Sequence, residues 1–249
     1  MRKTSGFSGR PRVMAAVVLG LAAFSVAGAP VATASPAGYP SLAGKWQVGS
    51  FTLDGGFAVA KASPIGGGGV SFPFLDRPDT AIMITDSPAY KARLLGDLTG
   101  STLVARLGVD VTPGSEFEYF GEPDGSGRPA NVRLYFETDT SLGPITCPCQ
   151  DKGWGSFWYS DPVRVDLQTL KSGDATLAAE LSPAFWSDGQ EQPGDKNDAQ
   201  RSIFAQAVTD VDHVGLSFGG GRHFHNGVGI RAGTGSGSFR LLSYEALPG

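Results

Sequence analysis

Residues 103–111 read Leu-Val-Ala-Arg-Leu-Gly-Val-Asp-Val, and this stretch decides the fold class because its side chains alternate in character. Leu103, Ala105 and Leu107 point to one side of an extended chain, whereas Arg106 points to the other. Successive side chains of a β-strand face opposite sides of the sheet. The pattern is therefore typical of a strand with one face buried and the other in water.

The same alternation recurs along the rest of the chain. It is clear in the segments 132–137, 163–168, 175–181, 214–218 and 239–241, and weaker in 45–53 and 81–85. Glycine-rich turn sequences separate the segments, and turns of this kind supply the reversals between antiparallel strands. The sequence thus predicts an all-β protein, an antiparallel jelly-roll β-sandwich.

One segment, at about 197–210, has helical rather than strand periodicity. Its apolar residues, Phe204 and Ala207 among them, recur at the spacing of one helical face. Asn197 or Asp198 can cap its first turn. We therefore expect one short helix that covers an end of the sandwich.

The N-terminus has the three parts of an export signal. A basic stretch without acidic residues precedes an apolar run at 13–29, and Ala32-Thr-Ala34 places small side chains where a signal peptidase cleaves. The run is shorter than the roughly 20 residues of a membrane-spanning helix. We therefore predict a signal peptide at 1–34, a flexible stretch at 35–44 and a single β-sandwich domain at 45–249.

The charge balance bears on partners. The chain has 20 Lys and Arg against 24 Asp and Glu, a formal charge of −4, and removal of the basic signal makes the remainder more acidic. Proteins that bind phosphate backbones need clustered basic residues, so we expect no nucleic-acid partner. No second long apolar segment follows the signal, so we expect a secreted protein that does not associate with a membrane after cleavage.

The chain has two cysteines, Cys147 and Cys149, on either side of Pro148. In an oxidising compartment they favour a local disulfide, at the upper limit of Cα separation for such a bond. Free or intermolecular thiols and a metal pair are the alternatives. A zinc site would need further Cys or His ligands.

Aromatic residues are densest at Gly153-Trp-Gly-Ser-Phe-Trp-Tyr159. Flat rings pack against the apolar faces of sugars, while nearby polar groups fix the hydroxyls. We take Trp154, Trp158, Tyr159 and Asp151 as candidate ligand-binding residues. The alternative is that most of this cluster is core, since alternation directs Trp158 to the face opposite Phe157 and Tyr159.

Two short motifs have metal-binding character. Glu122-Pro-Asp124 alternates oxygen-bearing side chains in a Gly-rich turn, as calcium sites often do, with an ordinary turn as the alternative. His223 and His225 share a face if their segment is extended, and they would need a third ligand, His213 or Asn226, to hold a transition metal. Apart from a structural calcium ion, we expect no cofactor.

No catalytic motif stands out. The carboxylates of Glu116, Glu118, Glu122 and Asp124 cluster around one loop and would suit glycoside hydrolysis. Acidic residues on loops are usually only solvated. A secreted polysaccharide hydrolase is therefore an alternative rather than the main hypothesis.

Several sequence blocks resemble a family of uncharacterised exported domains of bacteria and fungi, some of which carry a C-terminal Pro-Glu-Pro sorting signal. One block is Phe117-Glu-Tyr-Phe-Gly-Glu-Pro-Asp124. The others span 94–100, 131–137, 157–162, 181–188, 214–221 and 227–229. The resemblance implies a galactose-binding-like jelly roll and carries over no catalytic residues. The absence of a Pro-Glu-Pro tail here is in keeping with release.

These features favour a secreted, non-enzymatic domain that recognises an extracellular glycan or a cell-surface polysaccharide. A structural or adhesive protein of an extracellular matrix is the second hypothesis, and a polysaccharide hydrolase is the third.

Overall fold

The computed structural model describes residues 42, 45–52, 56–122, 125, 127–146 and 151–249. The predicted signal peptide at 1–34 lies outside the described residues. So do Asp124, Cys147 and Cys149, and the predictions made for them remain predictions.

The described chain is mostly strand. Its strands are β1 (Gln47–Phe51), β2 (Phe57–Lys61), β3 (Ser63–Pro64), β4 (Val70–Pro73), β5 (Thr80–Thr85), β6 (Ser101–Val111), β7 (Phe117–Tyr119), β8 (Asn131–Glu137), β9 (Phe157–Asp166), β10 (Gly173–Glu180), β11 (Trp186–Asp188), β12 (His213–Gly219), β13 (Val228–Ile230) and β14 (Gly237–Pro248). The helices are α1 (Leu167–Leu170) and α2 (Asp198–Val208), with 3-10 turns at Gly66–Gly68, Pro88–Tyr90, Trp154–Ser156 and Pro183–Phe185.

The strands form two antiparallel sheets within the described residues. The larger sheet has the order β11-β9-β8-β12-β5-β1-β2, with β13 and β7 attached through β5. The smaller sheet has the order β10-β6-β14-β4-β3. The predicted fold class, an antiparallel jelly-roll β-sandwich, is confirmed. Each segment with clear alternation contributes to a strand, and the two weaker segments contain β1 and β5.

The core lies between the two sheets and is rich in aromatic rings. Phe218 of β12, in the larger sheet, meets Phe72 and Phe239 of the smaller sheet edge to face, at centroid separations of 5.6 and 5.0 Å. Contacts of this geometry add about 0.5–1.5 kcal/mol to the burial of the rings. The inward-facing residues of the alternating segments therefore hold the sheets together.

The predicted helix is α2, and it begins where the sequence suggests. The side chain of Asn197 accepts a hydrogen bond from the backbone N–H of Gln200 at 2.9 Å, which caps the first turn. Phe204 and Ala207 are buried, as the helical periodicity predicts. No helix in the described part of the chain has the length and apolar character needed to cross a bilayer.

The outer face of β8 is buried, although the alternating pattern predicted that it would contact water. Arg133 and Tyr135, which alternate with the core residues of this strand, are 1% and 2% exposed. The loop after β12 accounts for this burial, because its Phe224 lies against the guanidinium of Arg133 at 4.4 Å. Arg133 in turn donates to Asp161 Oδ1 at 2.8 Å, so its charge is paired. Burial lowers the pKa of Arg133 to about 10, against the opposing effect of Asp161.

Candidate functional site

A tryptophan is fixed at one side of the outer face of the larger sheet. Trp154 opens a 3-10 turn just before β9, and its indole Nε1 donates to Thr146 Oγ1 at 2.7 Å. The ring lies directly over Gly189, where a Cβ would come within 2.5 Å of Trp154 Cε3. Gly189 N also donates to Trp154 O at 3.2 Å. The half-buried ring is thus held in one orientation from its edge and from beneath.

The opposite side is formed by the β1–β2 hairpin. Phe51 and Phe57 are cross-strand partners, and their rings meet edge to face at 5.7 Å. The Phe57 ring covers Gly49 of β1, where a Cβ would come within 2.3 Å of Phe57 Cζ. Phe57 remains 52% exposed. This side therefore presents aromatic surface towards Trp154.

Buried tyrosines form the floor between the two sides. Tyr135 of β8 and Tyr159 of β9 lie 5.1 Å apart, and the Tyr135 hydroxyl donates to Glu137 Oε2 at 2.6 Å. Burial raises the pKa of both tyrosines well above the usual value, so both hydroxyls stay protonated. Ile82 and Phe157 pack against the same cluster. The outer face of this sheet therefore carries a second, smaller apolar cluster.

The loop between β12 and β13 places a histidine on this floor. The His225 ring stacks on Tyr159 at 5.3 Å, with the ring planes within 10° of parallel. Asn226 holds the loop, since its Oδ1 accepts from Gly220 N at 2.9 Å and its Nδ2 donates to Phe120 O at 2.6 Å. Burial, with a smaller effect of His223, lowers the pKa of His225 to about 4. The His225 ring is therefore neutral at neutral pH.

These elements enclose two adjoining cavities, of about 870 and 310 Å³, that share Phe51, Trp154 and His225 in their linings. We call the combined space the aromatic groove. The larger volume falls within the range of about 300–1,000 Å³ that is usual for small-molecule sites. Polar side chains also line the groove; they are Thr52, Arg77, Asp79, Asp151, Lys152, Gln190, Glu191, His223 and Asn226. Walls that combine several aromatic rings with polar groups resemble a binding site more than a packing defect.

Three of the four ligand-binding candidates come together in this groove. Trp154, Tyr159 and Asp151 line it, although Tyr159 is only 4% exposed and mainly supports the floor. Trp158 lies on the other face of β9, fully buried in the main core. Its ring packs edge to face on Phe204 at 4.8 Å. Trp158 is therefore a core residue, which is the alternative that strand alternation suggested for it.

The segment that carries Glu116, Glu118 and Glu122, which we call the acidic loop, is organised around an arginine. The guanidinium of Arg231 contacts the Oε2 atoms of Glu116, Glu118 and Glu122 at 2.6, 3.3 and 3.4 Å. Glu122, a predicted calcium ligand, thus has a cationic partner in Arg231, which directly follows β13. Asp124, the other predicted ligand, lies outside the described residues. The same ion pairs occupy the carboxylates that the hydrolase alternative would use.

Of the two third ligands considered for the histidine pair, Asn226 already bonds Gly220 N and Phe120 O through its amide, and His213 lies elsewhere. His213 lies at the start of β12, near Glu137 and Asp139, and these three offer ligand atoms within 4.8 Å of one another. The Lys152 ammonium occupies this group, at 2.7 Å from Glu137 Oε1 and 2.5 Å from Asp139 Oδ1. In the described residues, no cluster of three metal-ligand side chains includes His223 or His225.

Sequence reasoning did not identify several groove residues. Phe51 and Phe57 belong to the N-terminal hairpin, about a hundred residues before Trp154, and no local pattern links the two regions. Phe120, which is 67% exposed, lines the groove where it adjoins the acidic loop. In the sequence, the signal for Phe120 was an aromatic residue directly before a glycine, in Tyr119-Phe-Gly121.

Comparisons with known proteins give little further guidance. No family model matches the sequence, and no curated protein matches it. Among solved structures, this chain is similar to a xylan-binding module, CBM15, with 12% sequence identity and a TM-score of 0.34. The match covers 80% of this chain and 92% of that chain. A likeness at this level carries no conclusion about what this chain binds, and the resemblance to exported domains stays a prediction.

Proposed function

We propose that this chain is a secreted, non-enzymatic binding domain that holds an extracellular glycan in the aromatic groove. The proposal depends on one observation: Trp154 faces Phe51 and Phe57 across an open cavity whose rim carries hydrogen-bonding side chains. Sugar rings have apolar faces that pack on aromatic rings and hydroxyls that need polar partners. The groove offers both kinds of surface together.

The fixed orientation of the aromatic rings supports a role in glycan binding, because rings that were exposed by chance would not need to be held in place. Trp154 is fixed by its hydrogen bond to Thr146 and by Gly189, and Phe57 is fixed on Gly49. A ring that is already ordered loses little conformational entropy when a ligand binds. The groove is thus preorganised on both sides.

The test is glycan binding by the purified protein and its Trp154→Ala variant, measured on a glycan array and then by calorimetry. We expect the variant to bind at least about tenfold more weakly, equivalent to a loss of about 1.4 kcal/mol. Phe185→Ala is the matched control, because Phe185 is 37% exposed and does not line the groove. Wild-type affinity in Trp154→Ala, or no binding of any glycan by the wild type, would refute the proposal.

A further inference from the structure

The charges along the aromatic groove narrow the kind of glycan that fits it. Among the described residues, the cationic side chains that line the groove are Arg77 and Lys152. The carboxylates that line it are those of Asp79, Asp151 and Glu191. A polysaccharide with uronate or sulfate groups would need a cation whose charge is not already paired with a carboxylate.

Lys152 has no donor left for a ligand. An ammonium group has three N–H donors, and Lys152 Nζ lies near three acceptors: Glu137 Oε1 at 2.7 Å, Asp139 Oδ1 at 2.5 Å and Thr138 O at 3.5 Å. Partial burial acts to lower the pKa of Lys152, but the hydrogen bonds to the two carboxylates outweigh it and the pKa is raised. Two carboxylates thus balance this one positive charge.

Arg77 is paired as well. Its Nε contacts Asp79 Oδ2, and the two side chains are 32% and 13% exposed. Burial raises the pKa of Asp79, against the opposing effect of Arg77. The arginine is therefore the main group that keeps this half-desolvated carboxylate charged, and an anionic ligand would have to compete with it.

The remaining ionisable groups do not favour an anion. Glu191 Oε1 lies 3.0 Å from His223 Nδ1, so the exposed histidine at the rim has a carboxylate beside it. Asp151 is exposed and adds negative charge next to Lys152. His225 carries no charge at neutral pH. A carboxylate or sulfate placed in the groove would meet repulsion, and no cation with an unpaired charge in the described lining would compensate for it.

We infer that the aromatic groove excludes anionic chains and takes a polysaccharide whose sugars carry neither uronate nor sulfate groups. This inference depends on the proposed function. It adds that recognition operates through ring stacking and hydroxyl hydrogen bonds, with no contribution from ion pairing to the ligand.

The experiment compares neutral oligosaccharides with carboxylated and sulfated derivatives of the same backbones at several salt concentrations. We expect the neutral member of each matched set to bind at least tenfold more tightly than the anionic members. Its affinity should change less than twofold between low and high salt, because ion pairs to an exposed ligand are screened and stacking is not. Equal or tighter binding of an anionic chain, or a steep salt dependence of binding by the neutral chain, would overturn the inference. Failure of every glycan to bind would overturn the proposed function itself.

A gain-of-function variant provides a second test. Asp79→Asn leaves the Arg77 guanidinium without its carboxylate, so the ratio of anionic to neutral affinity should rise at least fivefold. Asp110→Asn is the matched control, because Asp110 pairs with Arg240 at 2.7 Å in the smaller sheet, away from the groove. An unchanged ratio in a folded Asp79→Asn protein would contradict the inference. If that variant does not fold, the wild-type comparison decides alone.

Discussion

Trp154 and Trp158 are four residues apart and have opposite environments. Trp158 lies within β9 and is fully buried, with its ring in contact with those of Phe136 and Phe204. Trp154 lies in the preceding turn and is half-buried, with its ring over Gly189 at the wall of the groove. In a strand, register decides which face a ring joins; in a turn, contacts with distant residues decide it. The core face of the larger sheet therefore depends on local strand register, whereas the groove face depends on contacts between distant residues.

The largest effect should come from truncation on the core face. Trp158→Ala removes a buried indole and should destabilise the fold by about 3–5 kcal/mol. Trp154→Ala should cost less than about 1 kcal/mol, because its ring is partly exposed and its removal opens no core cavity. Urea denaturation followed by circular dichroism measures both values. Similar losses in the two variants would show that the distinction between the faces is wrong.

The second-largest effect on stability should come from acid titration of His225 on the groove face. The pKa of His225 is lowered to about 4 in the folded protein, from an ordinary value of about 6.5. The unfolded chain therefore binds more protons between these values, and stability should fall as pH decreases from about 6.5 to 4 and level off below. The contribution is about 2–3 kcal/mol.

Denaturation curves across this pH range should show the loss in the wild type. His225→Phe keeps a ring on Tyr159 and should remove that part of the pH dependence, whereas His223→Gln, at an exposed position, should retain most of it. The same slope in wild type and His225→Phe would mean that other groups cause the loss.

The smallest effect should come from a single methyl group beneath Trp154. Gly189→Ala places a Cβ about 2.5 Å from Cε3 of that ring, so the ring must tilt or shift. We expect three- to tenfold weaker glycan binding, measured by calorimetry, with little change in stability. Gly66→Ala is the control, since a Cβ there meets nothing within 4 Å. Unchanged affinity in Gly189→Ala would show that the ring orientation does not matter.

The sandwich could be predicted because alternation is local. The pattern in 103–111 and its repeats needs only neighbouring residues, and the cap at Asn197 needs only the next turn. The same rule placed Phe157 and Tyr159 opposite Trp158, which is how the structure arranges them.

The groove could be predicted only in part because its walls come from distant segments. Phe51 and Phe57 reach Trp154 only once β1 has joined the larger sheet through β5. The acidic loop gave no hint that Arg231, more than a hundred residues later, would bind three of its carboxylates. Burial of Arg133 likewise requires the loop that carries Phe224. Contacts of this range leave no periodic signal.

The two sides of the groove differ in how firmly they are held. All five residues of β2 are exposed, and among the described strands this edge strand pairs with β1 alone. The Trp154 turn, in contrast, contacts α2 and Gly189. Separating β2 from β1 would break one short ladder and leave the core closed. Under the proposed function, the side branches of a polysaccharide would be accommodated better towards the hairpin than towards the tryptophan.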